Sequence, residues 1–181
     1  MYLRMSASNR LLKYILLMVS ALLLGACDVI NEELPSYDDT SIVIEGDVAP
    51  DFTATLLDGH SITLSELRGD VVLLVFFSHT CPDCKNLLED LKRDKDKFDA
   101  IGTRILTISR GGETAEVEEY LTTNGYNFDC AVDADRAIYS LYATMYVPRA
   151  YLINREGIVE LTTVEYSSIH IDQLLGSATQ L

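Results

Sequence analysis

The sequence has no tryptophan, only three histidines and four cysteines, and half as many basic as acidic residues. Four cysteines are too few for the dense disulfide framework of a small secreted domain. A structural zinc site normally needs four ligands, and only one close cysteine pair is present, so we expect no metal. The net charge of −14 repels phosphate backbones. The composition therefore argues against disulfide-stapled mini-proteins, zinc-ribbon proteins and nucleic-acid binders.

A long hydrophobic run is also missing. The apolar stretch Tyr14–Leu24 has 11 residues, whereas a helix needs about 20 to cross a hydrocarbon core about 30 Å thick. It follows three basic residues and precedes the small residues Gly25 and Ala26. A basic region, a short apolar region and a small-residue cleavage site are typical of a signal peptide. We expect residues 1–26 to be removed on export.

The four residues that end this segment, Leu24-Gly25-Ala26-Cys27, resemble the bacterial lipobox, which implies that Cys27 is lipidated and becomes the mature N-terminus. Acyl chains on Cys27 would hold the protein at a membrane. The alternative is an ordinary secretory signal followed by an unmodified cysteine. Removing residues 1–26 takes away three basic and no acidic residues, which changes the net charge from −14 to −17. Residues 27–41 are acidic and without periodicity, and we predict a tether there.

Residues 42–181 have the pattern of one α/β domain. Val71–Phe77 is a continuous apolar run, as expected of a central strand buried on both faces. Apolar residues then recur at helical spacing from Asp83 to about Phe98, so a strand-to-helix junction falls at Cys81. The alternation predicts a βαβ unit in a central mixed sheet flanked by helices, preceded by a β-hairpin around Asp58-Gly59. The remaining predictions are a helical turn over 64–69, strands over 105–108, 129–132, 150–153 and 158–162, and helices over 113–123, 135–142 and 169–176.

The tetrad Cys81-Pro82-Asp83-Cys84 lies at that junction. Two cysteines separated by two residues at the start of a helix bring their sulfurs within bonding reach. Free backbone N–H groups and the positive end of the helix dipole favour a thiolate at Cys81, which we predict to be the nucleophile. Cys84 lies one turn further in and is predicted to resolve the mixed disulfide. Pro82 suits the first helical turn, where its missing N–H costs nothing.

Two further residues leave alternatives open. His79 lies two positions before Cys81 and either tunes the thiolate or joins both cysteines in a copper site, which would make the chain a non-enzymatic copper carrier. Cys130 lies in a short predicted strand beside Ala131 and is predicted to be a buried, small apolar side chain rather than a regulatory thiol.

Several ordered motifs together resemble the thioredoxin-like TlpA and ResA group of membrane-tethered reductases, which is related to the peroxiredoxins. The resemblance implies a thioredoxin-like fold and a thiol-disulfide oxidoreductase. It implies no cofactor beyond the redox-active Cys81–Cys84 disulfide, oxidised proteins as substrates, and an unidentified electron donor in the membrane. The segments that carry it are Gly46–Phe52, Leu64–Phe77, Phe77–Cys84 and Val147–Asn154.

The resemblance also implies that Pro148 is cis and that Val147 offers backbone groups to an extended substrate segment. The sequence departs from the pattern at three positions. Thr80 stands where relatives often have tryptophan, and Val75 and Leu87 stand where thioredoxin or the ResA-type reductases keep a carboxylate. No proton acceptor for Cys84 is therefore identified.

Asp83 favours one direction of reaction. Its carboxylate disfavours the Cys81 thiolate by like-charge repulsion, which destabilises the reduced form. We predict a reductant, with a reduction potential nearer to thioredoxin's roughly −270 mV than to the roughly −120 mV of the oxidase DsbA.

A peroxiredoxin is the enzymatic alternative. Peroxiredoxins have a Pro-x-x-x-Thr/Ser-x-x-Cys motif at the peroxidatic cysteine. Before Cys81, Ser78 fills the hydroxyl position, but Leu74 fills the proline position. Only half of the motif is present.

Overall fold

The computed structural model describes residues 34–181, so the predicted signal peptide and the predicted lipidation site at Cys27 lie outside the described residues. The compact unit runs from Pro35 to Leu181. Its centre is a five-stranded sheet made of β3 (Val71–Phe77), β4 (Thr103–Ser109), β5 (Asp129–Val132), β6 (Arg149–Ile153) and β7 (Val159–Val164). The strands lie in the order β5-β4-β3-β6-β7.

The sheet is mixed, as the sequence predicts. Strand β4 runs parallel to β3, and the 19-residue helix α2 (Pro82–Ala100) connects them. Strands β6 and β7 are antiparallel to their neighbours. All seven residues of β3 are buried, because helices or loops cover the sheet on both sides.

Two apolar clusters lie on opposite faces of the sheet. One face packs against α2, α3 (Thr114–Asn124) and α5 (His170–Ala178), and its core includes Leu88 and Phe98. The other face packs against α4 (Tyr139–Tyr142) and against the small hairpin of β1 (Thr53–Thr55) and β2 (Ser61–Thr63), which a 3₁₀ helix (Leu64–Leu67) follows. Within residues 34–181, no helix is both long and apolar enough to cross a bilayer.

The compact unit begins seven residues before residue 42, the predicted start of the domain. A helical turn, α1 (Tyr37–Thr40), lies within the predicted tether, and Ser36 caps it by accepting a hydrogen bond from the amide of Asp39. Thr40 is buried, and the carbonyl of Thr40 accepts a hydrogen bond from the amide of Thr144 at 2.9 Å. The absence of periodicity in this acidic segment concealed a short ordered turn.

The helix predicted over 135–142 is shorter than expected, because only Tyr139–Tyr142 is helical. Arg136 adopts a positive φ of 62°, which interrupts a helix. The carboxylate of Asp133 instead accepts hydrogen bonds from the amides of Ile138 and Tyr139 at 3.1 and 2.7 Å. This side chain fixes the start of the helix at Tyr139, four residues later than periodicity indicates.

Candidate active site

The cysteine pair lies where β3 ends and α2 begins. Cys81 is the N-cap of α2, Pro82 occupies the first turn, and Asp83 is the acidic residue of that turn. The Cys81 Sγ accepts a hydrogen bond from the backbone N–H of Cys84, with an N···S distance of 3.4 Å. Cys81 is partly exposed, whereas Cys84 is buried. Both are free thiols in this structure. The geometry gives one accessible sulfur and one protected sulfur on a single helical turn.

The surroundings of Cys84 favour its neutral thiol over the thiolate. Its side chain is 0% exposed, and burial raises its pKa well above the ordinary value of a thiol. A hydrogen bond from the amide of Ser78 at 3.3 Å acts in the opposite direction but does not cancel the effect of burial. A raised pKa means that Cys84 keeps its proton at neutral pH and must lose it before it can attack another sulfur.

The backbone before β6 faces Cys81. The Cys81 Sγ lies 3.6 Å from the carbonyl oxygen of Val147, a residue 66 positions later in the chain. The Val147–Pro148 peptide bond is cis, as the resemblance implied. The fold therefore brings Val147 and Pro148 to the cysteine pair and places the carbonyl of the partly exposed Val147 beside the accessible sulfur.

The two positions where relatives keep a carboxylate are apolar and buried here. Val75 and Leu87 are 0% and 1% exposed and belong to the same core as Cys84. The nearby polar group that the sequence did not indicate is the hydroxyl of Tyr120, which is buried and has no hydrogen-bond partner within residues 34–181. Burial raises the pKa of Tyr120. Tyr120 and both cysteines belong to the same apolar cluster.

His79 is more enclosed than a freely solvated tuning residue. Its side chain is 20% exposed, its Nε2 lies 3.9 Å from a carboxylate oxygen of Glu116, and its ring centroid lies 6.2 Å from that of Tyr120. A Cβ added to Gly112, where φ is +95°, would lie 2.8 Å from the imidazole Cε1. Gly112 therefore leaves the room that the imidazole needs. Within residues 34–181, no group of three or more His, Cys, Asp or Glu side chains is arranged to hold a metal ion.

Cys130 lies in the core, away from this pair. It is 2% exposed in β5, and burial raises its pKa to about 11. Cys130 also lines a surface cavity of about 450 Å³. Leu57, Arg104 and Phe128 line this cavity together with Cys130, but neither Cys81 nor Cys84 does. The geometry agrees with the prediction of a small, apolar core side chain.

Comparison with known proteins identifies the family. The model of the AhpC/TSA family matches residues 45–162, which span both β1 and the cysteine pair. The chain belongs to the AhpC/TSA family. Among curated members, thiol-disulfide oxidoreductase ResA from Bacillus subtilis (strain 168) is 30% identical over 122 residues, which cover 67% of this chain and 68% of that protein. This family member is accordingly a thiol-disulfide oxidoreductase.

Solved structures agree on the fold. A putative protein disulfide isomerase from Bacteroides thetaiotaomicron matches with a TM-score of 0.73 and 30% identity, over 78% of this chain and 91% of that one. A putative thiol:disulfide interchange protein DsbE from Chlorobium tepidum matches with a TM-score of 0.67 and 24% identity, over 76% of this chain and 99% of that one. The AhpC/TSA member described here therefore has a thioredoxin-like fold, as its sequence predicts.

Sequence reasoning missed two residues near the site. Tyr120 looked like one apolar position of an amphipathic helix, and its hydroxyl gave no separate signal. Arg149 is 2% exposed although it directly follows Pro148 and begins a buried strand. A lone charged residue inside the apolar segment Val147–Ile153 was the available signal, because a buried guanidinium needs specific partners.

Proposed function

We propose that this oxidoreductase acts outside the cytoplasm as a reductase of protein disulfides, with Cys81 as the attacking and Cys84 as the resolving cysteine. The observation that carries the proposal is the asymmetry of the pair. Cys81 is partly exposed and caps a helix, whereas Cys84 is buried one turn further in. Only the attacking sulfur needs access to a substrate disulfide, because the resolving sulfur reacts within the protein.

The reaction balances with the two thiols alone. The Cys81 thiolate attacks one sulfur of the substrate disulfide, forms a mixed disulfide, and releases the second substrate sulfur as a thiolate that takes up a proton. Cys84 then loses its proton and attacks the Cys81 sulfur, which releases the first substrate sulfur as a thiol. The substrate gains two electrons and two protons, and the protein is left with a Cys81–Cys84 disulfide. A dithiol donor associated with the membrane would restore the reduced pair.

The surroundings of Cys81 support the reductive direction. Asp83 adds a carboxylate to the first turn of α2, next to the sulfur that must carry negative charge. That repulsion makes the reduced, thiolate-bearing protein less stable and lowers its reduction potential. The overall charge of −14 acts the same way, although salt screens it.

The proposed substrates are oxidised proteins that present an extended segment. The carbonyl of Val147 and the cis peptide bond before Pro148 lie beside the Cys81 sulfur, where backbone groups can pair with such a segment. His79 is proposed to influence the cysteine pair through its enclosed imidazole. Export and a lipid anchor at Cys27 rest on the sequence pattern before residue 28, and they would confine the reaction to the outer face of a membrane.

The test is reduction of insulin disulfides by the purified full-length protein, followed by trapping with the Cys84→Ser variant. We expect wild-type protein to reduce insulin and Cys84→Ser to accumulate a covalent mixed disulfide that a non-reducing gel resolves. Cys130→Ser is the matched control, because it also replaces a buried thiol, and it should behave like the wild type. Failure of both insulin reduction and trapping would contradict the proposal. Equilibration with glutathione buffers tests the direction, and a potential near roughly −120 mV would exclude a reductant.

A thiol peroxidase is the second candidate, because the matched family model carries the AhpC/TSA description. Ser78, three residues before Cys81, fills the hydroxyl position of the peroxidatic motif. Leu74 fills the proline position, and it is a fully buried residue in the middle of β3. Turnover of hydrogen peroxide at a rate exceeding that of insulin reduction would favour this candidate over the first.

A further inference from the structure

Arg149 is a buried cation without a carboxylate partner. It begins β6 directly after Pro148, is 2% exposed, and makes no ion pair within residues 34–181. Its Nε donates to the carbonyl of Met145 at 3.0 Å, and its two terminal nitrogens donate to the hydroxyls of Ser41 and Thr40 at 2.8 Å each. Burying a guanidinium is costly unless its donors are satisfied. The acceptors of these three hydrogen bonds lie in two segments, which we call the strap (residues 35–41) and the loop (residues 143–148).

The strap and the loop are joined along their lengths. Besides the Thr40–Thr144 backbone bond, Ser41 and Ala143 form an antiparallel bridge. At the other end, the hydroxyl of Tyr146 donates to the carbonyl of Pro35 at 2.7 Å. The rings of Tyr37 and Tyr146 pack edge to face, with centroids 5.1 Å apart. The guanidinium of Arg149 thus stabilises an interface that continues on both sides of it.

A second connection runs through Glu165. Its backbone N–H donates to the carbonyl of Pro148 at 2.8 Å, and its carboxylate accepts a hydrogen bond from the hydroxyl of Tyr37. Glu165 has a positive φ of 58°, so this corner after β7 is a specific turn rather than a continued strand. The strap is therefore connected to the segment around Pro148 by two routes, one through the side chain of Arg149 and one through Glu165.

The loop connects this interface to the cysteine pair. Tyr146 adopts a positive φ of 70°, and its carbonyl accepts a hydrogen bond from the hydroxyl of Tyr139 at 2.6 Å. The next residue is Val147, whose carbonyl lies 3.6 Å from the Cys81 sulfur. The position of that carbonyl depends on a backbone conformation that few residues adopt unaided.

We propose that Arg149 is a positioning residue for the oxidoreductase reaction, and that it works by clamping the loop to the strap so that Val147 stays in place beside Cys81. The inference rests on the proposed function in one respect, because it takes the Val147 backbone to contact the substrate protein. In consequence the strap is a working part of the site, although it precedes the segment that the family model matches.

The test compares three full-length variants by steady-state kinetics. Arg149→Met removes the clamp and keeps an unbranched side chain of comparable length, and Arg149→Lys restores a cation. The double variant Thr40→Val with Ser41→Ala removes only the strap acceptors. Arg155→Met is the matched control, because Arg155 is exposed at the opposite end of β6. The substrates are insulin, whose peptide groups can pair with the Val147 backbone, and 2-hydroxyethyl disulfide, which has no peptide groups.

We expect Arg149→Met and the double variant to lower kcat/KM for insulin about tenfold or more, because small displacements of a positioned group have large kinetic effects. Reduction of 2-hydroxyethyl disulfide should change by less than about twofold, since Cys81 itself is untouched. Arg149→Lys should recover part of the loss. Wild-type insulin kinetics in folded Arg149→Met would overturn the proposal. If that variant does not fold, wild-type kinetics in the double variant would overturn it equally.

Amide hydrogen exchange tests the role of Arg149 independently of the proposed function. Amides of residues 143–147 should exchange at least about tenfold faster in Arg149→Met than in Arg155→Met, because the carbonyl of Met145 in the loop loses its charged donor and Thr40 and Ser41 in the strap lose theirs. The measurement needs no substrate, so it stands even if the wild type fails to reduce insulin. Unchanged exchange in the loop would show that Arg149 does not hold it.

Discussion

Cys84 and Cys130 have nearly the same environment and are assigned different chemistry. Both side chains are at most 2% exposed, both belong to the core on the helical face of the sheet, and burial raises the pKa of both thiols. Cys84 lies in the first turn of α2, where its amide donates to the sulfur of Cys81. The Cys130 sulfur donates a hydrogen bond to the carbonyl of its neighbour Ala131, at 3.6 Å. A second sulfur one turn away, rather than burial, is what distinguishes a redox partner from a core side chain.

The largest expected effect comes from removing the sulfur of Cys81, the redox partner of Cys84. Cys81→Ser should turn Cys84 into a thiol like Cys130, and insulin reduction should fall by roughly a thousandfold or more, as for other nucleophile replacements. Cys130→Ser should keep activity within about twofold. Insulin reduction at a tenth of the wild-type rate or more in Cys81→Ser would mean that Cys84 itself reaches the substrate and that the two buried thiols differ in another way.

The next largest effect should be the difference in alkylation rate between the cysteines of the folded protein. At pH 8, iodoacetamide should modify Cys81 at least about a hundredfold faster than Cys84 or Cys130, because the latter two react only after local opening. Peptide mass spectrometry gives the three rates. In strong denaturant the three rates should converge. A Cys130 that reacts as fast as Cys81 in the folded protein would instead reveal a regulatory thiol.

The pH dependence of stability should be similar for the two buried thiols. Burial raises the pKa of Cys130 to about 11 in the folded state, so the unfolded chain loses this proton first. The stabilisation is complete below the unfolded pKa of about 8.5 and is lost as the pH rises toward 11. When the pH is raised from 8 to 10, the free energy of unfolding should fall by roughly 1–2 kcal/mol less in Cys130→Ala than in the wild type. Urea denaturation at both pH values measures it.

Cys84→Ala is the comparison for this measurement, because the pKa of Cys84 is raised in the same direction and mainly by the same cause. Its dependence on pH should change with the same sign as that of Cys130→Ala. An opposite sign would show that the folded state favours the Cys84 thiolate, contrary to its burial.

The smallest effect concerns Asp83, the carboxylate that lies between Cys81 and Cys84 in the sequence. Asp83→Asn removes a carboxylate next to Cys81, which should stabilise the reduced form and raise the reduction potential by roughly 10–20 mV. Equilibration with glutathione at low ionic strength measures the shift, and Asp135→Asn, an exposed change outside the motif, is the control. A lower potential in Asp83→Asn would contradict the proposed role of this carboxylate.

Strands and helices with strong local patterns were predicted almost residue by residue. Seven consecutive apolar residues defined Val71–Phe77 as a central strand, and Asp129–Val132 was found where predicted. The helix predicted over 135–142 failed in its first half, because the carboxylate of Asp133 binds the amides of Ile138 and Tyr139. A side-chain cap of this kind depends on a loop conformation that periodicity does not report.

The strap was missed for a different reason. Its residues are polar and follow no helical or strand period, so nothing local distinguishes it from a tether. Its order comes from contacts with residues more than 100 positions later, such as those of Thr40 and Ser41 with Arg149. The one sign in the sequence was an arginine inside the apolar segment that follows Pro148, and it did not indicate which residues bind that arginine.

The sequence by itself determined that a cysteine pair lies between a buried strand and a helix, because both the apolar run and the Cys-x-x-Cys spacing are local patterns. It also determined which cysteine caps the helix, since Cys81 comes first. The tertiary structure alone decided that the carbonyl of Val147 lies beside that sulfur, and that Arg149 binds both the loop before Val147 and the distant strap. Those neighbours are brought together by sheet pairing and side-chain packing between distant segments, and no local pattern encodes such distances.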